Sequence, residues 1–155
     1  MMDKQAKVLE FLKSWTDGVI SIGKTYQRDG DFQEGAEFFL NTHYAFGENE
    51  VLFKPTFTKD VIFRNSFNQA LSYFVSGSIP EDRGFAIRPW KKIELHDQPN
   101  LIIEGDVVVV MGALDFYHFE SEVSSIVSFT FVLKEYEGRF KIIVHHSSPV
   151  MDINF

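Results

Sequence analysis

Beyond Gly84 the hydrophobic period of this chain changes from helical to twofold and stays so almost to the end. "FAIRPWKKIELH", "LIIEGDVVVVMGALDFYHF", "SEVSSIVSFTFVLKEY" and "GRFKIIVHHSSPV" read as long β segments separated by turn residues. Upstream the spacing is different. Leu9, Leu12, Trp15, Val19, Ile22 and Tyr26 recur at three- and four-residue steps, which predicts an amphipathic helix from Asp3 to Arg28, ended near Gly30. Asp31 is placed to cap a second helix whose inner stripe is Phe32, Ala36, Phe39 and His43. In "EVLFKPTF", Pro55 pushes Lys54 into an extended conformation. "VIFR" reads as a short strand, and Asn65 is expected to cap a short helix, "SFNQALSYFV", closed by a turn at Gly77. Helices followed by a meander of antiparallel strands specify an α+β layer architecture. With 155 residues and no linker or repeat, residues 1–155 read as a single domain.

Composition removes several classes of function. The formal net charge is -7 and no basic run occurs, so the electrostatic attraction that carries nucleic-acid binding is missing, as is a polybasic membrane patch. There are no cysteines, hence no disulfide and no thiolate metal site. "MMDKQAKVLEFLKSW" alternates charged and apolar residues and lacks the apolar core of a signal peptide. The longest apolar stretch, Val107 to Met111, is too short to span a bilayer. These features lead us to expect a cytoplasmic protein with neither a nucleic acid nor a membrane as partner.

The terminal strand carries the most chemistry. In "KIIVHHSSPV", Arg139 and Lys141 share one parity and Phe140, Ile142 and Val144 the other. Successive side chains of a strand point to opposite faces. Continued without a bulge, this alternation sends His146 and Ser148 inward, and His145 and Ser147 outward or toward a partner subunit. The preceding strand agrees with a two-faced sheet, since Val123, Val127, Phe129, Phe131 and Leu133 oppose Glu122, Ser124, Ser128, Thr130 and Lys134. Adjacent histidines diverge and cannot ordinarily grip one ion, while His43, His96 and His118 are scattered singly. No metal or other cofactor is therefore expected, with a divalent metal held by converging histidines as the alternative.

Five stretches in order, "VLFKPTF", "FRNSFNQALSYFV", "DRGFAIRPW", "VVMGALDF" and "HHSSP", resemble the iota-class carbonic anhydrases over roughly Trp15 to Pro149. That family's domain is similar to the association domain of calcium/calmodulin-dependent protein kinase II. The resemblance implies a nuclear transport factor 2-like cone, a curved antiparallel sheet wrapped over helices with a pocket at its open end, and a homodimer or larger ring. It also implies reversible hydration of carbon dioxide to bicarbonate in a pocket lined by a Thr, a Tyr and a Ser. The Thr of "FKPT" falls on Thr56, the Tyr of "SYF" on Tyr73, and the Ser of the terminal "HHSS" on Ser148. Family members often carry three histidines in a row, and here Val144 stands in the first place.

On this reading Thr56, Tyr73 and Ser148 donate hydroxyl hydrogen bonds to the substrate in a dry, Phe-lined pocket. His146 is the candidate general base, and Arg64 a candidate anion-binding residue. The bland alternatives are a turn-closing Thr56, a core Tyr73, a solvated Arg64 and a surface Lys54. Two rival functions accompany them. One is a non-enzymatic assembly or small-ligand module like the kinase association domain. The other is an isomerase or dehydratase pairing a histidine with an acid such as Asp115 or Glu104.

Overall fold

The computed structural model describes residues 3–151. Helix α1 spans Lys4–Gln27, with Asp3 as N-cap accepting from the Ala6 N–H. Helix α2 spans Phe32–His43, and Asp31 caps it by accepting from the Glu34 N–H. Both side chains satisfy amide groups that a helix start leaves unpaired. Strand β1, Leu52–Lys54, is followed by helix α3, Phe67–Val75. The cap of α3 is Ser66, one residue beyond the expected Asn65, and it forms a reciprocal capping box with Gln69. Asn65 instead accepts from the Phe53 N–H at 2.8 Å, tying β1 to the loop that follows it. "VIFR" is not a strand. Its place is fixed by Arg64, whose amide donates to the Phe53 carbonyl at 2.7 Å.

A short 3₁₀ turn at Phe85–Ile87 leads into β2, Trp90–Leu95. Four more strands complete the sheet: β3, Asn100–Glu104, β4, Val107–His118, β5, Ser124–Tyr136, and β6, Arg139–Pro149. The strand order is β1-β6-β5-β4-β2, with β3 also paired to β4. All neighbours are antiparallel except β1, which adds to β6 in parallel and makes the sheet mixed. The β5–β6 turn needs two left-handed residues, Glu137 (φ 53°) and Gly138 (φ 81°), the geometry that matches the twist of a tight hairpin.

The core lies between the inner face of the sheet and the three helices. Leu12, Trp15, Val19 and Ile22 of α1 and Ala36, Phe39, Leu40 and His43 of α2 are buried, as the helical spacing predicts, whereas Phe32 is only half-buried. From the sheet come Val108, Val110, Leu114 and Phe116 of β4 and Val127, Phe129, Phe131 and Leu133 of β5. Gly112 stands opposite Phe129, and a Cβ there would sit 3.1 Å from the Phe129 ring, so glycine makes room for that aromatic.

The terminal strand departs from simple alternation. Val132 pairs with Val144, but Leu133 pairs with Ile142, leaving Ile143 as an extra residue in β6. This bulge exchanges the faces for everything that follows. Phe140 and Ile142 are buried as expected, but beyond the bulge it is His145 and Ser147 that are buried. His146 and Ser148 face outward, opposite Thr130 and Ser128. No helix among the described residues is long and apolar enough to cross a membrane.

Candidate active site

A small cavity sits at the open end of the cone, between α1, the residues after β1, α3 and the inner face of β4–β6. Its walls are apolar, chiefly Trp15, Phe53, Phe74, Phe85, Phe129 and Phe131. Four polar side chains reach it: Thr56, Tyr73, His145 and Ser147. It measures ≈ 10 Å³ to a water-sized sphere. That is about the room a single water molecule needs, far below the several hundred Å³ of an ordinary organic-ligand pocket.

His145 is clamped from both sides. Its Nδ1 lies 2.8 Å from the Tyr44 hydroxyl and its Nε2 lies 2.6 Å from Ser147 Oγ. Tyr44 is wholly buried and accepts a hydrogen bond from Trp15 Nε1 at 3.2 Å. The Tyr44 proton has no other partner, so it is donated to His145 Nδ1. The imidazole proton then resides on Nε2 and is donated to Ser147 Oγ. Ser147 acts as acceptor in this chain, which leaves its own proton free to point into the cavity. Burial, reinforced by the neighbouring charge of His146, lowers the His145 pKa to about 3, so the ring is neutral. Phe53 stacks on it at 4.6 Å and Phe131 meets it edge-on at 4.6 Å, fixing its plane.

Tyr73 is held in the same manner. The Phe57 N–H donates to its hydroxyl at 3.3 Å, and Thr56 lies beside it on the cavity wall. Burial raises the Tyr73 pKa far above the ordinary phenol value, with the Phe57 amide and Thr56 opposing the rise. The phenol therefore keeps its proton. With its oxygen occupied as acceptor, that proton also faces the cavity.

The sequence-predicted residues divide accordingly. Thr56 and Tyr73 line the cavity. His146 and Ser148 do not, because of the bulge at Ile143; Ser148 Oγ instead lies 3.0 Å from Ser128 Oγ on the outer face. Arg64 is not available to an anion. It is fully buried, bidentate to Asp82 at 2.7 and 2.8 Å, and donates from Nε to the Val61 carbonyl at 2.9 Å. Lys54 is half-buried and donates to the Ser147 carbonyl at 3.2 Å. Neither Asp115 nor Glu104 reaches the cavity. Asp115 accepts from His96 Nδ1 at 3.0 Å, and Glu104 is exposed at the end of β3. Tyr44 and Trp15 were missed as site residues. The available signal was that a tyrosine beside an apolar helix stripe needs a partner for its hydroxyl. Among the described residues, no three potential ligand side chains converge on one point.

Comparisons with known proteins bear on the family and the fold. The profile of the family described as metal-independent carbonic anhydrase matches residues 6–149. A metal-independent carbonic anhydrase of Nostoc sp. (strain PCC 7120) is 31% identical over 149 residues, covering 93% of this chain and 72% of that one. The crystal structure of a cyanobacterial iota-carbonic anhydrase complexed with bicarbonate superposes with a TM-score of 0.90 at 29% identity, covering 98% of this chain and 94% of that one. A calcium/calmodulin-dependent protein kinase II association domain from Xanthomonas campestris shares the fold (TM-score 0.68, 16% identity, 98% and 91% covered). A nuclear transport factor 2-like protein from Cytophaga hutchinsonii shares the fold as well (TM-score 0.61, 15% identity, 96% and 100% covered). By its family profile and its 31% identical relative, this chain belongs to the metal-independent carbonic anhydrases.

Proposed function

We infer that the protein interconverts carbon dioxide and bicarbonate in the cavity at Tyr73 and Ser147, using hydroxyl side chains in place of a metal. The observation that carries this reading is the cavity itself, which is apolar, no larger than about one water-sized space, and lined by the Tyr73 and Ser147 hydroxyls, whose protons protein acceptors leave unused. Carbon dioxide enters such a space without a desolvation penalty. When water attacks the carbon, one C–O bond forms, a C=O π bond opens, and negative charge collects on the original oxygens. One proton leaves to solvent. Donors fixed in advance around those oxygens stabilise the charge without reorganisation, and the dry surroundings strengthen them.

His145 serves here as a positioning residue. Its pKa of about 3 makes it a poor base near neutrality, and its Nε2–H is spent on orienting Ser147. The general-base role expected for His146 has no support from its outward position. The size of the cavity also disfavours the isomerase and dehydratase rivals, whose substrates are larger.

Self-association is part of the proposal. The outer face of the sheet exposes Ile102 and Met111, with Ile126 and Val132 half-buried beside them. An outer apolar surplus of Phe116, Phe119, Ile126 and Val132 is what the sequence leads one to expect; Phe116 points into the core instead, and Phe119 is exposed in the turn after β4. A stable dimer interface buries ~2,000 Å², and sedimentation at micromolar concentration should report a species above the monomer. For the activity, stopped-flow hydration of carbon dioxide by protein treated with a strong chelator is the decisive measurement. Full activity is expected. Absence of turnover, or activity restored only by one specific ion, overturns the reading.

A further inference from the structure

The buried Arg64 leaves unanswered which cation meets the anionic form of the substrate, in a chain whose net charge of -7 repels anions. A second hollow lies on the far side of Tyr73 from the cavity. It shares the Tyr73 and Phe85 walls with the cavity and is bounded outside by Phe57, Arg83 and Arg88. It measures ≈ 60 Å³ on the scale that gives the inner cavity ≈ 10 Å³. The outer space therefore has room for an anion that keeps part of its hydration, whereas the inner one does not.

Arg88 is held at this hollow between two aromatic rings. Its guanidinium lies 5.7 Å from the centre of the Phe57 ring and 5.8 Å from that of Trp90. Those contacts fix its plane and consume none of its N–H donors. Among the described residues, no carboxylate lies within salt-bridge distance of Arg88 or Arg83. The two acids at the hollow are engaged elsewhere. Asp82 is bidentate to Arg64 and accepts from Ser72 Oγ at 2.6 Å, while Glu81 accepts from the amides of Lys59, Asp60 and Val61. Three guanidiniums thus surround two committed carboxylates, leaving positive charge in excess beside Tyr73. At the phenol itself Arg88 favours the ionised form and Asp82 opposes it.

We propose that Arg88 forms an anion subsite in the hollow behind Tyr73, where bicarbonate waits before entering the cavity and after leaving it. This rests on the carbonic anhydrase reading for the identity of the anion, but the subsite is testable apart from turnover. An exposed charge pair is worth up to ~1 kcal/mol, or roughly fivefold in affinity.

The experiment is titration of the protein with ¹³C-labelled bicarbonate followed by NMR line broadening, alongside dehydration kinetics, for the unaltered chain, Arg88→Gln and Arg88→Lys. At an ionic strength near 0.01 M, Arg88→Gln should weaken bicarbonate binding and raise its KM roughly fivefold. Arg88→Lys should recover most of the loss, because the charge is kept. The difference between the unaltered chain and Arg88→Gln should shrink by ~0.15 M salt, where the Debye length falls from ~30 to ~8 Å. Equal bicarbonate affinity in Arg88→Gln and the unaltered chain overturns the subsite, as does a loss that is independent of salt and not rescued by lysine. Bicarbonate binding that depends on Arg88 in a chain without turnover would uphold the subsite and overturn the enzymatic reading instead.

Discussion

Two histidine–serine pairs stand side by side at the end of β6, and the protein treats them oppositely. His145 and Ser147 are sealed inside, each hydrogen-bonded to the other, while His146 and Ser148 lie on the outer face against Thr130 and Ser128. Chemically the two pairs are identical. What separates them is one extra residue, Ile143, which shifts the register against Leu133 and Val132. Position relative to the sheet, and not residue type, decides which pair can contribute to chemistry.

The largest effect that could break this comparison is on the inner pair. Ser147→Ala removes a donor aimed at the cavity, and a loss of about 10²-fold in hydration rate is expected, in line with deletion of one preorganised oxyanion donor. His145→Ala should approach the same loss, because it frees Ser147 from its fixed rotamer. Tyr73→Phe should fall in the same range. Each is measured by stopped-flow carbon dioxide hydration on variants whose melting curves show them folded. Wild-type rates in Ser147→Ala and Tyr73→Phe together would remove the hydroxyl mechanism.

Tyr44→Phe probes the support behind the inner pair and should have a smaller effect on rate, about tenfold. The hydroxyl bridges Trp15 Nε1 and His145 Nδ1, both buried. Without it those two atoms lose their partner, which costs ~1–3 kcal/mol in a buried site. Thermal unfolding should therefore show a lowered Tm together with the reduced rate. A Tm change with no change in rate would mean that Ser147 does not need the chain behind it.

Much of the molecule was legible before any coordinates. The stripe of α1, the Asp31 cap and the inner face of β5 follow from spacing and capping chemistry, because long periodic elements repeat their signal many times. Thr56 and Tyr73 were singled out through resemblance, and both line the cavity. The bulge was not legible, for a physical reason. Charged residues mark the outer face only at Arg139 and Lys141, and then "IIV" offers three apolar residues in succession, any of which can be buried. The doubled "HHSS" places one His and one Ser on each face in either register, so no polarity cue remains. Arg64 misled in another way. Its burial depends on Asp82, eighteen positions away, and sequence spacing alone does not bring the two together.

The pH dependence sharpens the contrast further. His145 is held neutral with a pKa of about 3, while in the unfolded chain it titrates near 6.5. Between those values the unfolded state binds the proton and the folded state does not, so stability falls as pH drops from about 6.5 toward 3. His43, also lowered by burial, acts in the same direction. Denaturant titrations across this range should show a loss approaching ~1.4 kcal/mol per pH unit for each such proton. His145→Gln should flatten that slope. An unchanged slope in His145→Gln would show that the inner imidazole is not the group resisting protonation.

The smallest expected effect belongs to the outer pair, and it tests the register most directly. His146→Ala and Ser148→Ala alter groups that the bulge turns away from the cavity, so hydration rates should stay within about twofold of the unaltered chain. Ser148 shares a hydroxyl contact of 3.0 Å with Ser128 on a partly exposed face, and its loss should cost no more than ~0.5–1.5 kcal/mol of stability. Strict alternation through Val144 predicts the reverse, with the outer pair essential and the inner pair dispensable. Assaying the four single alanine variants side by side therefore separates the two registers without a structure of any of them. If Ser148→Ala loses activity while Ser147→Ala keeps it, Ile143 is not an extra residue in solution, and the cavity is lined by the other face of the strand.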